Sequence, residues 1–281
     1  MSNDLLPDIG PISTATIDGL SIRYSRTGRA TGTPILMTAP WPESIYAFHR
    51  VVPKLRDKHS LLLVDLPGYG RSQSRQDIMA PEAMGAFLVI LLEYFQIARA
   101  HVVAPDVGTP AVLFAASKKP NLFESLVIGG GAMRVEFAAG PLKDLIHTPS
   151  GALANVDGAL GMKDYLIQAA KLTPAAVVDD FRAASAGRRL EEAVQYVRNY
   201  ISDLPKLEPR LSGINTPALI IAGKNDPIVP PVNGQFLADH LPVNQYVLLD
   251  AAHRVWEEAQ VPYTEALVKW FGGDYETIGN Q

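Results

Sequence analysis

A carboxylate at Asp106, a second at Asp226 and an imidazole at His253 are the side chains whose types, order and settings best fit a chemical role. Asp106 stands in Ala104-Pro105-Asp106-Val107-Gly108-Thr109. The pattern small-x-Asp-x-small-small suits a sharp strand-to-helix turn, in which bulky side chains two before or two after the central residue would clash. Such a turn lifts the central side chain to the N-terminus of the next helix, beside its free amide groups. Read alone, the segment fits equally well an Asp that simply caps that helix. A carboxylate is already ionised at pH 7 and needs no base for a first attack. It suits displacement at a saturated carbon, giving an alkyl-enzyme ester that an activated water then cleaves. Asp226 follows one apolar run, in Gly223-Lys224-Asn225-Asp226-Pro227, and His253 follows the next, in Asp250-Ala251-Ala252-His253. Residues placed after neighbouring strands can meet over a sheet edge, where Asp226 would fix the tautomer of His253 and steady its charged form. The expected oxyanion donors are two backbone amides, that of Trp41 in Ala39-Pro40-Trp41-Pro42-Glu43-Ser44 and that of Val107.

These residues need strands to carry them. Residues 13–17 and 20–25 alternate polar and apolar around Asp18-Gly19 and predict a hairpin. Short apolar runs follow at 34–38, 60–65, 100–104, 126–128, 217–223 and 245–250. Runs of this kind suit strands buried on both faces of a parallel sheet. Helical periodicity falls between them, at 46–55, 81–95, 110–118, 234–241 and 262–271. The alternation predicts an α/β sheet with helices on both faces, and ligands then bind beyond the carboxyl ends of the strands. Residues 134–205 break the rhythm. They offer helices at 169–186 and 189–200, loops at Gly140-Pro141, 149–151 and Gly158, and no strand. They read as a helical insertion, or as an extra helix pair packed on the sheet. The predicted division is a core of residues 1–133 and 206–281 and an insertion of 134–205.

Composition narrows the function. The chain has 281 residues, 47% hydrophobic and 19% charged, with a net charge of −4. Without a Lys/Arg block, no nucleic-acid or anionic-membrane partner is expected. The chain has no cysteine, which excludes disulfides, thiolate metal sites and Cys nucleophiles. No His-x-x-x-His pair suggests zinc, and no cofactor or metal is expected. The N-terminus does not read as a signal peptide, and no apolar run reaches the ~18 residues of a membrane span. A cytoplasmic location is therefore expected. The expected partner is a mainly apolar small-molecule substrate, and surface helices leave room for a homodimer.

The order nucleophile, acid, histidine resembles that of the α/β-hydrolase superfamily, in particular its epoxide hydrolase and haloalkane dehalogenase branch with an Asp nucleophile. The resemblance runs from about Thr16 to Phe271. It is carried by Trp41-Pro42-Glu43-Ser44, the segment from Asp65 to Ser72, the turn at Asp106, Asn225-Asp226-Pro227 and the His253 loop with Glu257-Glu258. It implies an α/β-hydrolase fold, a mostly parallel sheet with flanking helices and a helical cap over the active site. It also implies opening of an epoxide to a diol, with a cap tyrosine protonating the alkoxide. Tyr196 resembles one such tyrosine, Tyr165 is the candidate for a second, and Tyr200 competes with them. Two departures stand out. Ala39-Pro40 replaces the usual His-Gly, and the turn lacks the usual Gly-His-Asp-Trp-Gly-Gly. Val107 in place of Trp, with Pro110 nearby, weakens a haloalkane or haloacid dehalogenase, although the Trp41 indole offers an N–H. The alternatives kept open are that dehalogenase, an ester or lactone hydrolase, and a non-catalytic binding protein on the same fold.

Overall fold

A computed structural model describes residues 5–278. The eight strands are β1 (Ile12–Ile17), β2 (Leu20–Gly28), β3 (Ile35–Thr38), β4 (Ser60–Val64), β5 (Ala100–Pro105), β6 (Phe123–Gly129), β7 (Ala218–Gly223) and β8 (Asn244–Leu249). They form one sheet in the order β1-β2-β4-β3-β5-β6-β7-β8. β2 pairs antiparallel with both β1 and β4, and every pairing from β4 to β8 is parallel. The first turn explains the hairpin. Asp18 and Gly19 both take positive φ, at 50° and 77°, the primed-turn geometry whose twist matches the flanking strands.

The central strands are buried on both faces, as their apolar runs predict; all six residues of β5 are buried. Their side chains alternate between two cores. Leu36, Leu62, Val64, Val102 and Leu126 enter one cluster, whereas Ile35, Met37, Leu61, Leu63, Val103 and Val127 enter the other. The helices α1 (Pro81–Tyr94) and α2 (Gly108–Lys118) cover the first face. The segments Ile45–Phe48 and Val52–Leu55 and the C-terminal helix Gln260–Lys269 cover the second. The helix expected at 46–55 is thus two short turns, a 3-10 turn and one α turn.

Between β6 and β7 there is only helix and loop among the described residues. Gly140-Pro141, expected as a loop, opens α3 (Gly140–His147). Proline is tolerated there because the first-turn N–H it lacks has no intrahelical partner. The helix expected at 169–186 begins only at Ala175, as α5 (Ala175–Ser185), and a separate helix, α4 (Lys163–Ala169), ends where it was expected to start, the two parted by a break that includes Thr173-Pro174. A proline disfavours helical backbone in the residue before it. Gly158, also expected in a loop, starts a single helical turn capped by the Asp157 side chain. The stretch 189–200 divides into α6 (Arg189–Arg198) and α7 (Tyr200–Leu207), the second holding Pro205 inside it. Helical backbone continues through Glu208–Gly213, so a boundary at 205 falls within a helix.

Candidate active site

The parallel strands bring their carboxyl ends together, and the three predicted residues meet there. Asp106 leaves β5 with φ +55°, a left-handed conformation that non-glycine residues adopt at a cost. Three contacts hold that turn. The Asp106 N–H donates to Gly129 O at 2.8 Å, the Thr109 N–H donates to Asp106 O at 3.0 Å, and the Thr109 hydroxyl lies 2.9 Å from Ala104 O. Gly108 is required by close approach, because a Cβ there would lie 2.4 Å from Thr38 Oγ1. The small residues read from the sequence therefore have a steric reason. The N-terminal cap position of α2 is Val107, not Asp106. The Asp106 side chain instead accepts from the backbone N–H of Trp41, which reaches Oδ2 at 2.7 Å.

Asp226 and His253 complete the arrangement. Asp226 Oδ1 accepts the N–H groups of Ile228 and Val229, each at 2.8 Å, which fixes the carboxylate. Its Oδ2 lies 2.7 Å from His253 Nδ1. The other ring nitrogen, Nε2, stands 3.7 Å from Asp106 Oδ1. All three side chains are buried. Burial alone would drive the imidazole to its neutral form. The flanking carboxylates of Asp106 and Asp226 outweigh burial and hold the His253 pKa up at about 10. The ring is therefore an imidazolium at neutral pH.

The tyrosines fall in different places. Tyr196 is fully buried and donates its proton to Val107 O at 2.7 Å, one residue past Asp106. It stands edge-on, at ring distances of 5.7 Å, to both Tyr69 and Tyr200. Burial and then the charge of Asp106 hold the Tyr200 phenol well above its ordinary pKa; burial and then the neighbouring phenols do the same for Tyr69 and Tyr196, with Asp106 a smaller contributor. The three rings thus form one buried edge-on cluster, tied to the turn after β5 through the Tyr196 bond to Val107 O. Tyr165 does not join them. Its hydroxyl donates to Glu43, which also accepts from the Trp256 indole at 2.8 Å. The pairing of Tyr165 with the alkoxide is corrected on that ground, because its one proton is already given to a buried carboxylate. Burial and then the neighbouring Glu257 raise the Glu43 pKa to about 8.

Sequence reasoning missed the ionic groups that seat the helical segment. Arg23, inward-facing on β2, donates through Nε to Asp65 at 2.5 Å and through both terminal nitrogens to Asp180 of α5, at 2.8 and 2.9 Å. Ser44 donates to the same Asp180 at 2.6 Å. Arg189, at the start of α6, donates to the carbonyls of Gly70 at 2.7 Å and Ser72 at 2.8 Å. The sequence offered no signal, because β2 alternates polar and apolar and Arg23 falls at one of its polar positions. Among the described residues, no group of His, Cys, Asp or Glu could hold a metal ion. No helix among them is long and apolar enough to cross a membrane.

A sheet of this order, a sharp turn after β5 and an acid–histidine pair after β7 and β8 define an α/β-hydrolase. The chain belongs to that family: residues 33–191 match the family model described as alpha/beta hydrolase fold. It is 27% identical over 259 residues to the uncharacterized hydrolase YugF of Bacillus subtilis, covering 89% of this chain and 94% of that one. It is 28% identical over 262 residues to a 2-hydroxy-6-oxononadienedioate/2-hydroxy-6-oxononatrienedioate hydrolase of Burkholderia vietnamiensis, covering 86% and 88%. A crystal structure of a hydrolase from Pseudomonas aeruginosa superposes with a TM-score of 0.77 at 22% identity, covering 94% of this chain and all of that one.

Proposed function

We propose that the chain is a hydrolase that opens epoxides to diols through a covalent ester on Asp106. The observation that carries this reading is the Asp106 carboxylate itself, raised on a strained turn with Oδ2 held by the Trp41 amide at 2.7 Å and Oδ1 facing His253. A carboxylate at this place can attack a saturated carbon without a base. Oδ1 is the free oxygen and makes the attack. Oδ2 then becomes the ester carbonyl oxygen, already hydrogen-bonded where negative charge develops when water adds. Val107, by its place after Asp106, supplies the second amide.

The proton inventory fits two steps. At rest both carboxylates hold His253 as an imidazolium. Alkylation converts Asp106 to a neutral ester and removes one of the two charges holding that proton. His253 is thereby released to act as a base at the step that needs one, oriented by Asp226 at 2.7 Å. The helical segment 134–205 acts as the cap and brings Tyr200 into the buried phenol cluster, edge-on to the Tyr196 ring at 5.7 Å, while the Tyr196 hydroxyl is held by Val107 O. A buried phenol delivers its proton only to a strong base, and an alkoxide is one.

A second reading has a specific support. The Burkholderia vietnamiensis relative carries a name that concerns a different hydrolysis, so ester, lactone or carbon–carbon cleavage on the same triad is the competing function. Halide displacement has less support, because Val107 offers no side-chain N–H beside the nucleophile.

His253→Gln separates these readings. With the base removed, incubation with an epoxide is expected to add the mass of the whole epoxide to the protein, and peptide mapping is expected to place it on Asp106. Asp106→Asn is expected to abolish both adduct and turnover, by about a thousandfold or more. An acyl adduct from an ester or lactone, with none from any epoxide, would sink the epoxide reading.

A further inference from the structure

Glu43 is 1% exposed and has no part in the triad. A buried carboxylate is costly to the fold unless its partners compensate, so its place calls for an account. Glu43 lies two residues past Trp41, whose N–H holds Asp106 Oδ2 at 2.7 Å, and its own N–H donates to Pro40 O at 3.0 Å. Its Oε2 accepts the Trp256 indole N–H at 2.8 Å, and its Oε1 accepts the Tyr165 hydroxyl of α4. Trp256 belongs to the single helical turn Val255–Glu258, which starts directly after the His253 loop. That turn is tied back to the loop. The Val255 N–H donates to His253 O at 3.1 Å, and Glu258 accepts the Ala252 N–H at 2.6 Å. The Trp256 ring stands edge-on to the His253 ring at 6.1 Å.

These contacts close a circuit. Asp106 Oδ2 meets the Trp41 amide, the chain leads from Trp41 to Glu43, Glu43 holds Trp256, and Trp256 backs the His253 ring. Nε2 of that ring faces the other oxygen of Asp106, Oδ1, at 3.7 Å. The groups that address the two oxygens of Asp106 thus come from loops far apart in the chain, and Glu43 joins those loops. We propose that Glu43 is a positioning residue that sets the Trp41 amide and the His253 imidazole in register on Asp106. This rests on the roles given above to those three groups. Attack by Asp106 Oδ1 needs no base. Attack of water on the ester needs both groups at once, because His253 takes the proton while the Trp41 amide holds the oxygen that gains charge. Loss of register therefore falls mainly on the second step.

Glu43→Leu removes the acceptor and keeps an apolar side chain in the buried place, and Arg254 keeps its pairing with Glu257, so no cation is stranded. Glu43→Gln preserves both contacts, since its amide oxygen accepts from the indole and its NH2 group donates to the Tyr165 hydroxyl oxygen. Trp256→Phe removes the same bond from the other end. The first readout needs no substrate. Nitrogen-15 in the three tryptophans reports the Trp41 amide, the Trp256 indole and, as a control, the Trp270 indole, which is bonded to Ser125 at 2.9 Å. In Trp256→Phe the Trp41 amide signal is expected to move while the Trp270 indole signal stays. The second readout times the two steps by intact mass with an aryl epoxide, alkylation in a His253→Gln background and ester hydrolysis with His253 in place. Glu43→Leu is expected to slow hydrolysis by about a hundredfold or more and alkylation by about threefold or less, so that adduct accumulates during turnover. Glu43→Gln is expected to stay within about tenfold of the wild type in both steps. An unmoved Trp41 amide in Trp256→Phe would overturn the assignment whatever the substrate. Equal slowing of both steps in Glu43→Leu would also overturn it, because Glu43 would then serve packing alone. Failure of every epoxide to alkylate His253→Gln would overturn the epoxide reading, and the Trp41 signal would then decide the role of Glu43 by itself.

Discussion

At the scale of residues, the triad is a charge arrangement before it is a catalyst. The native chain holds the His253 proton up to about pH 10, whereas an unperturbed histidine releases it near 6.5. Between these values the native state binds more protons than the unfolded one, so stability falls as pH rises. The contribution of His253 is complete below about 6.5 and lost as pH passes about 10. The urea midpoint of the wild type is therefore expected to drop between pH 7 and 10 by more than that of His253→Gln. Asp106→Asn takes away one of the two carboxylates, so its drop is expected at lower pH than in the wild type. Midpoints that fall in parallel in all three proteins would contradict the imidazolium. At this scale the sequence was most informative where a residue follows an apolar run. Asp106, Asp226 and His253 each stand just past one. It was least informative for the tyrosines, since a helix position does not say which way a hydroxyl turns. Tyr165 faces Glu43 and Tyr196 faces Val107, and both outcomes depend on partners far away in the chain.

At the scale of elements, two devices fix the site. The first is the latch between β2 and α5. Asp180→Ala leaves the buried Arg23 guanidinium with Asp65 alone and strands the Ser44 hydroxyl. Truncating one member of such a buried group costs about 3 kcal/mol, and urea denaturation should show a loss of that order. A change within ~0.5 kcal/mol would show that solvent replaces the pairing. The second is the close approach of Gly223, at the end of β7, to the loop that carries His253. A Cβ on Gly223 would lie 1.8 Å from Ala252 O, so Gly223→Ala must push that loop away. The expected cost is about 1–3 kcal/mol in stability. Turnover should fall further than partial unfolding explains, because His253 moves off Asp106. The central strands β3 to β7 were legible because their burial writes continuous apolar runs, whereas β8, expected to be buried on both faces from its run at 245–250, is the edge strand and buries only Leu249. The latch was not legible, because one Arg on β2 and one Asp on α5 leave no periodic trace. The helices of 134–205 were legible as helix and mis-bounded at Gly140-Pro141 and Thr173-Pro174. Proline there marks the start of one helix and the gap between two others, and the sequence alone does not choose between them.

At the scale of the whole molecule, the helical segment and the sheet share their cores. Leu142, Ile146, Leu190, Val194, Val197, Leu204 and Leu207 enter the cluster that holds Leu36, Val102 and Leu126. Leu166, Val177 and Phe181 enter the other cluster with Trp256 and Trp270. Neither part can bury its apolar surface alone, so unfolding should be a single cooperative transition. Far-ultraviolet circular dichroism, which follows the helices, and tryptophan fluorescence, which follows Trp41, Trp256 and Trp270, are expected to give superimposable melting curves. Separate midpoints would mean that the helical segment opens by itself. The grip of Trp41 on Asp106 has a consequence for the individual atoms of a turnover. One carboxylate oxygen is pinned and the other is not, so the two are not interchangeable while the carboxylate cannot flip. On the proposed route, oxygen from heavy-isotope water enters the enzyme during the first cycle, and the diol leaves with an oxygen from Asp106. The isotope then occupies only the attacking position. If such a protein is returned to ordinary water, its next diol should carry off all of the label, whereas a freely turning carboxylate would surrender half.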